Sequence, residues 1–126
     1  MNVSGELINH PGIYCIVNKT RGSMYVGKTK SLSKRYASHL HYLRNRKHSV
    51  MQLQVDFLCG DDMWFMVLEH LERDVDDLRM SFLEQWWLNS ASTHFEIYNQ
   101  RRRVLSASPG TYWAILELLQ RYNSKL

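Results

Sequence analysis

The stretch Gly12–Gly27, GIYCIVNKTRGSMYVG, constrains this chain more than any other. Ile13, Cys15 and Val17 alternate with Tyr14, Ile16 and Asn18; after the polar Lys19-Thr20-Arg21-Gly22 the alternation resumes with Met24 and Val26 against Tyr25 and Gly27. Period two puts successive side chains on opposite faces, so two short strands joined by a tight turn are predicted. If partner numbers in the hairpin sum to 39, Tyr14 stands directly opposite Tyr25 and two phenolic hydroxyls leave one face. Taken alone, an ordinary hairpin with half-buried aromatics is favoured. The hairpin becomes informative through the residues beyond it.

At 126 residues the chain is long enough for a single domain with one modest core and one site. No apolar run reaches bilayer length, and the N-terminus MNVSGELINHPG lacks a secretion signal, so an intracellular, cytoplasmic protein without a membrane partner is expected. Cys15 and Cys59 lack metal-ligand spacing and each sits in an apolar run, which predicts two buried free thiols. The net charge of +4 is unevenly spread. Asn18 to His48 holds nine Lys or Arg and no acid, whereas Asp56 to Glu96 holds ten acids against Arg73 and Arg79. A basic segment of this length points to a polyanion.

Beyond Gly27, Ser31 predicts the N-cap of a helix running to about Arg46. Leu32, Tyr36, Leu40 and Leu43 form its core stripe, with Arg35, His39, Tyr42 and Arg46 on a second stripe about 85° round, at the lip of the core. A second helix is expected from His48 or Ser49 to about Leu58, with Met51, Val55 and Leu58 on one side, ended by Gly60-Asp61-Asp62. Met63–Leu68 predicts a third strand. Asp76 to Asn89 predicts a helix apolar almost all round, hence buried. Within it Glu84 lies on the Met80–Leu88 stripe, where an ionised carboxylate must be paired, hydrogen-bonded or metal-bound. A salt bridge to Arg35 and a functional role are weighed evenly. Ser108 and Pro109 predict the start of a C-terminal amphipathic helix carrying Tyr112, Ile115, Leu116 and Leu119.

Taken together, these residues resemble the GIY-YIG nuclease superfamily over about residues 11–100, most closely in motif spacing the catalytic domains of phage and intron homing endonucleases. Gly12-Ile13-Tyr14 and Tyr25-Val26-Gly27 stand in the two name-giving motifs, with valine for the isoleucine of the second. Arg35 and His39 stand in the positions of the first helix, Glu84 in the helical glutamate position, and Tyr98-Asn99 in the closing asparagine motif. His48-Ser49 matches a pair seen in the homing group.

The resemblance implies an α/β (α+β) domain, a small three-stranded antiparallel sheet flanked by helices, over residues 1–100. Residues 101–126 would form a basic linker and an extra C-terminal helix. It also implies a divalent-metal-dependent endonuclease. Glu84, the sole carboxylate at a motif position, would hold a single Mg²⁺ or Mn²⁺. Arg35 would donate to the scissile phosphate. Tyr14 would be the general base, its phenol lowered by Lys28 and the metal. Tyr25 would hydrogen-bond phosphate or water, His39 would be a second proton carrier or a phosphate ligand, and Asn99 would orient Glu84 or its helix.

Lys28, Lys30, Lys34, Arg46, His48 and the run Arg101, Arg102, Arg103 are the candidate DNA-phosphate contacts. A small free-standing phage or mobile-element type nuclease is the leading expectation. The alternatives are a structure-selective branch or flap nuclease subunit, a DNA-binding module that does not cut, and an interaction protein. The C-terminal helix is the expected surface for a homodimer or a partner protein.

Overall fold

The structure is a computed structural model and describes residues 1–99. The C-terminal helix, the basic run Arg101–Arg103 and the domain boundary at residue 100 lie outside the described residues. Five strands and three helices run in the order β1 (Asn2–Ser4), β2 (Gly12–Asn18), β3 (Ser23–Thr29), α1 (Leu32–Arg44), α2 (Met51–Leu58), β4 (Met63–His70), α3 (Asp77–Ala91) and β5 (Glu96–Ile97). No helix among the described residues is long and apolar enough to cross a membrane.

The sheet order is β1-β4-β2-β3-β5. Its centre, β4-β2-β3, is the expected antiparallel trio; the two edge strands, each parallel to its neighbour, correct the three-stranded expectation. β1 and β5 are too short to show periodicity. β2 is buried along its whole length because it has a strand on each side and helices on each face. Ile13 and Cys15 join the core beneath α3, with Val26, Leu83 and Trp86. Tyr14 and Ile16 join the core beneath α1 and α2, with Leu32, Leu43, Leu53 and Phe65.

The hairpin register differs from expectation. Gly12 pairs Thr29 and Asn18 pairs Ser23, so Tyr14 faces Gly27 and Tyr25 faces Ile16. The Asn18 side-chain oxygen accepts from the Thr20 and Arg21 N–H groups at 2.9 and 3.1 Å, holding a four-residue turn where the expected pairing needs a two-residue one. The shift is an even number of residues, so the tyrosines keep a common face.

Helix α1 begins at the predicted Ser31 cap, whose hydroxyl accepts from the Lys34 N–H, but ends at Arg44. Arg46 therefore leaves the helical stripe and takes a left-handed φ of 58° that turns the chain back toward the sheet. Helix α2 is rotated relative to expectation. Leu53, Gln54 and Asp56 are buried, while Met51, Val55 and Leu58 are 76%, 44% and 53% exposed. Asp56 is accommodated by hydrogen bonds from Tyr98, Gln52 and Asn18 and by Arg21. Cys15 is buried, its thiol pushed up to about 12 by desolvation, but Cys59 shares the rotation of α2 and is exposed.

Candidate active site

β2 places Tyr14 under three constraints. Its ring stacks on Phe65 of β4 with centroids 4.8 Å apart, and a Cβ at Gly27 would lie 2.4 Å from its Cζ and Oη. Only glycine leaves room for the ring across the strand pair, which explains that motif position. A register shift in the β2–β4 pairing between Ile13 and Tyr14 sets the strand's local twist beside it. Gly12 is needed for a similar reason: a Cβ there would meet the Glu69 carbonyl at 2.6 Å and Leu32 at 2.7 Å.

Helix α1 supplies Arg35 and His39, one turn apart and on one face. The Tyr14 hydroxyl lies 2.7 Å from His39 Nε2, and His39 Nδ1 lies 2.8 Å from His48 Nε2. Tyr25 on β3 has its ring 6.4 Å from Tyr14 and 5.6 Å from His39. His48 is brought back by the Arg46 turn and stacks on His39 at 5.0 Å. Its backbone N–H is held by Gln54 Oε1 at 3.0 Å, while Gln54 Nε2 donates to the Leu43 carbonyl. Arg35, Tyr42, Lys47 and Ser49 rim the cleft above Tyr25, His39 and His48, a cavity of about 310 Å³.

Glu84 approaches from the other face of the sheet, on α3, where it is 7% exposed. Among the described residues no Lys or Arg nitrogen lies within ion-pair distance of it, so the salt bridge to Arg35 is not formed. Lys28 of β3 points to the same side and donates to Ser81, one turn before Glu84. Burial raises the Glu84 carboxyl above its ordinary range; the Lys28 charge, the Lys28 backbone N–H and Arg35 pull the other way. The two halves of the site meet around β3. There β5 covers only Ser23 and Met24, and the Asn99 side-chain amide continues the edge by accepting from the Val26 N–H and donating to the Val26 carbonyl.

The phenols respond to both halves. Burial raises Tyr14 well above the ordinary phenol range, Tyr25 adds to the rise, Arg35 opposes it and Glu84 adds to it. Tyr25 is raised by burial and then Glu84, with Arg35 opposing. Lys28 acts on Glu84, so the cation that lowers Tyr14 is Arg35. His39 is pulled down to about 3 by burial, then by His48 and Arg35, and His48 is lowered by burial. Both rings are neutral at pH 7.

Of the sequence-predicted site residues, Tyr14, Tyr25, Arg35, His39, His48, Lys28 and Glu84 come together. Asn99 holds the β3 backbone at Val26, a different task from orienting Glu84. Lys30 is engaged elsewhere, with Asp77 at 3.1 Å and the Val75 carbonyl at 3.1 Å. Lys34 and Arg46 are exposed. Sequence reasoning missed Gln54, Ser81 and Lys47. Ser81 was visible as the i−3 neighbour of Glu84, whereas Gln54 was hidden by the apolar stripe on the opposite side of α2.

A buried carboxylate behind β3 without an ion pair among the described residues, and a fork-shaped cation and two phenols on the other face of the sheet, are the parts of a phosphodiester-cleaving centre. The comparisons agree with that class. The model of the GIY-YIG catalytic domain family matches residues 10–96, and the chain belongs to this family of endonucleases. Among solved structures, the catalytic domain of the intron endonuclease I-TevI, in a mutant form, superposes with a TM-score of 0.64 at 25% identity. The match covers 76% of this chain and 98% of that one. A comparison with curated protein sequences returns no match.

Proposed function

We propose that this protein is a divalent-metal-dependent DNA endonuclease of the phage or mobile-element type. The observation that carries it is Glu84: a carboxylate 7% exposed, without an ion pair among the described residues, whose charge reaches both phenols of the cleft. The near-complete coverage of an intron endonuclease's catalytic domain supports the mobile-element type.

No group of three potential ligands exists among the described residues, so one carboxylate with water and phosphate oxygens fits a single hard cation such as Mg²⁺ or Mn²⁺. Bound at Glu84, that cation would supply Lewis-acid stabilisation of the phosphate and the leaving oxygen. Arg35 forks onto the scissile phosphate and neutralises the charge that develops on it. Tyr14 first loses its O–H proton to solvent through the cleft, an ionisation that Arg35 favours against burial. As phenolate it then takes the proton of the attacking water, while Tyr25 and His39 fix the phenol's orientation. Lys28 steadies Glu84, and Asn99 keeps the strand bearing Tyr25 in place.

The test is cleavage of supercoiled plasmid and of a labelled branched duplex, in Mg²⁺ or EDTA, by the wild type and Glu84→Gln. Cutting of plasmid that needs both metal and Glu84 is expected, with the variant slowed about 10³-fold or more and DNA binding retained. Preference for the branched duplex would assign a structure-selective nuclease instead. Binding without cutting in either metal would leave a non-cutting module.

A further inference from the structure

The two histidines and Tyr14 form a hydrogen-bond chain whose direction is fixed at its far end. At that end the backbone N–H of Val50, at the N-cap of α2, donates to His48 Nδ1 at 3.1 Å. Nδ1 of His48 is thus an acceptor, and the neutral ring carries its proton on Nε2. That N–H donates to His39 Nδ1 at 2.8 Å, which in turn puts the His39 proton on Nε2, 2.7 Å from the Tyr14 oxygen. Reversing the chain would require a proton on His48 Nδ1, leaving two donors facing each other at the Val50 amide. Adding a proton instead would place an imidazolium in the core beside Arg35.

We propose that the Val50 backbone amide sets the direction of this chain, so that His39 serves Tyr14 as a hydrogen-bond donor and not as the base that removes its proton. The phenol oxygen, once ionised, is met by an N–H already aimed at it, and the Tyr14 O–H is directed to Tyr25 or to a group in the cleft. Gln54 is a positioning residue in the same device. It holds the His48 backbone to the end of α1 and so fixes the distance between the rings. The consequence for cleavage rests on the endonuclease reading; the placement of the protons does not.

The experiment is ¹⁵N–¹H correlation of the imidazole nitrogens in the full-length protein at pH 7, with His39→Gln and His48→Gln used to assign signals. Both rings are expected as Nε2–H tautomers. A proton on Nδ1 of either ring, or a charged His39, would overturn the proposal. Val50→Pro then removes the amide hydrogen and exchanges a partly buried isopropyl group for the pyrrolidine ring. The native φ of −91° lies about 25° from proline's usual value, the helix does not use this N–H, and the Val50 carbonyl still accepts from Gln54. His48 should become a mixture of tautomers, and cleavage should fall about tenfold with DNA affinity in EDTA unchanged. An unchanged His48 tautomer would reject the role of Val50. If Val50→Pro does not fold, the wild-type tautomers still decide. If the wild type cuts no DNA, the endonuclease reading fails while the proton positions stand or fall by themselves.

Discussion

At the scale of single residues, the site depends on small groups that make room and on neutral groups kept out of water. Gly27→Ala would set a methyl 2.4 Å from the Tyr14 ring, which is already backed by Phe65. With no space to retreat, Tyr14 must tilt away from His39. The variant should lose about 1–3 kcal/mol of stability and most of its cleavage. Urea unfolding beside a nicking assay checks both, and a folded, fully active Gly27→Ala would disprove the steric account. His39 carries a pH signature. Its folded pKa of about 3 lies below the unfolded value near 6.5, so the unfolded chain binds this proton more tightly. The stability from the neutral ring is complete above about pH 6.5 and is lost as pH falls toward 3. Between pH 7 and pH 5 the loss is about 2 kcal/mol. Unfolding midpoints across that range should slope in the wild type and flatten in His39→Gln; equal slopes would assign the titration to another group.

At the scale of elements, much was legible because periodicity and caps are local. The three central strands, the Ser31 cap and the buried α3 all arise from their own residues. What was not legible depended on side chains folding back on the backbone. Asn18 closes a longer turn and shifts the register; the Asn99 amide imitates a strand; two short parallel edges exist only because a neighbour offers its ladder. Helix α2 misled for a related reason. Its buried Asp56 gathers Tyr98, Asn18, Gln52 and Arg21, binding the β2–β3 turn, α2 and the segment after β5 into one network. A polar network of that kind puts polar residues on the buried side, so the apolar stripe of Met51, Val55 and Leu58 pointed to the wrong face. Asp56→Ala would leave the buried Tyr98 hydroxyl without the acceptor of its proton, while the Asn18 amide keeps Asp61, at a cost of about 1–3 kcal/mol. Thermal and urea unfolding should both register it, while the folded fraction cuts at the wild-type rate. A loss of cleavage in fully folded protein would instead tie this network to the chemistry.

At the scale of the whole molecule, charge in sequence and charge in space are different quantities. The +4 chain has a long basic segment, yet its lysines are not equivalent once folded. Lys30 is held by Asp77 and the Val75 carbonyl, and Lys28 by Ser81, whereas Lys47 rims the cleft with Arg35 and has no ion pair among the described residues. No carboxylate lines that cleft among the described residues, so a phosphate entering it meets Arg35 and Lys47 without an anionic competitor on its walls. Each phosphate neutralised by such a cation releases counterions and adds about 0.9 to the steepness of log K against log salt. Lys47→Ala should therefore flatten that slope by about one and weaken binding most at low salt, leaving the cleavage rate at saturating DNA close to the wild type. Lys30→Ala should leave the slope unchanged, because its ammonium already has partners. Fluorescence anisotropy of a labelled duplex in EDTA, titrated at several salt concentrations, separates the two variants. Equal slopes for both would mean that DNA lies along the basic sequence segment as a whole and not across the cleft.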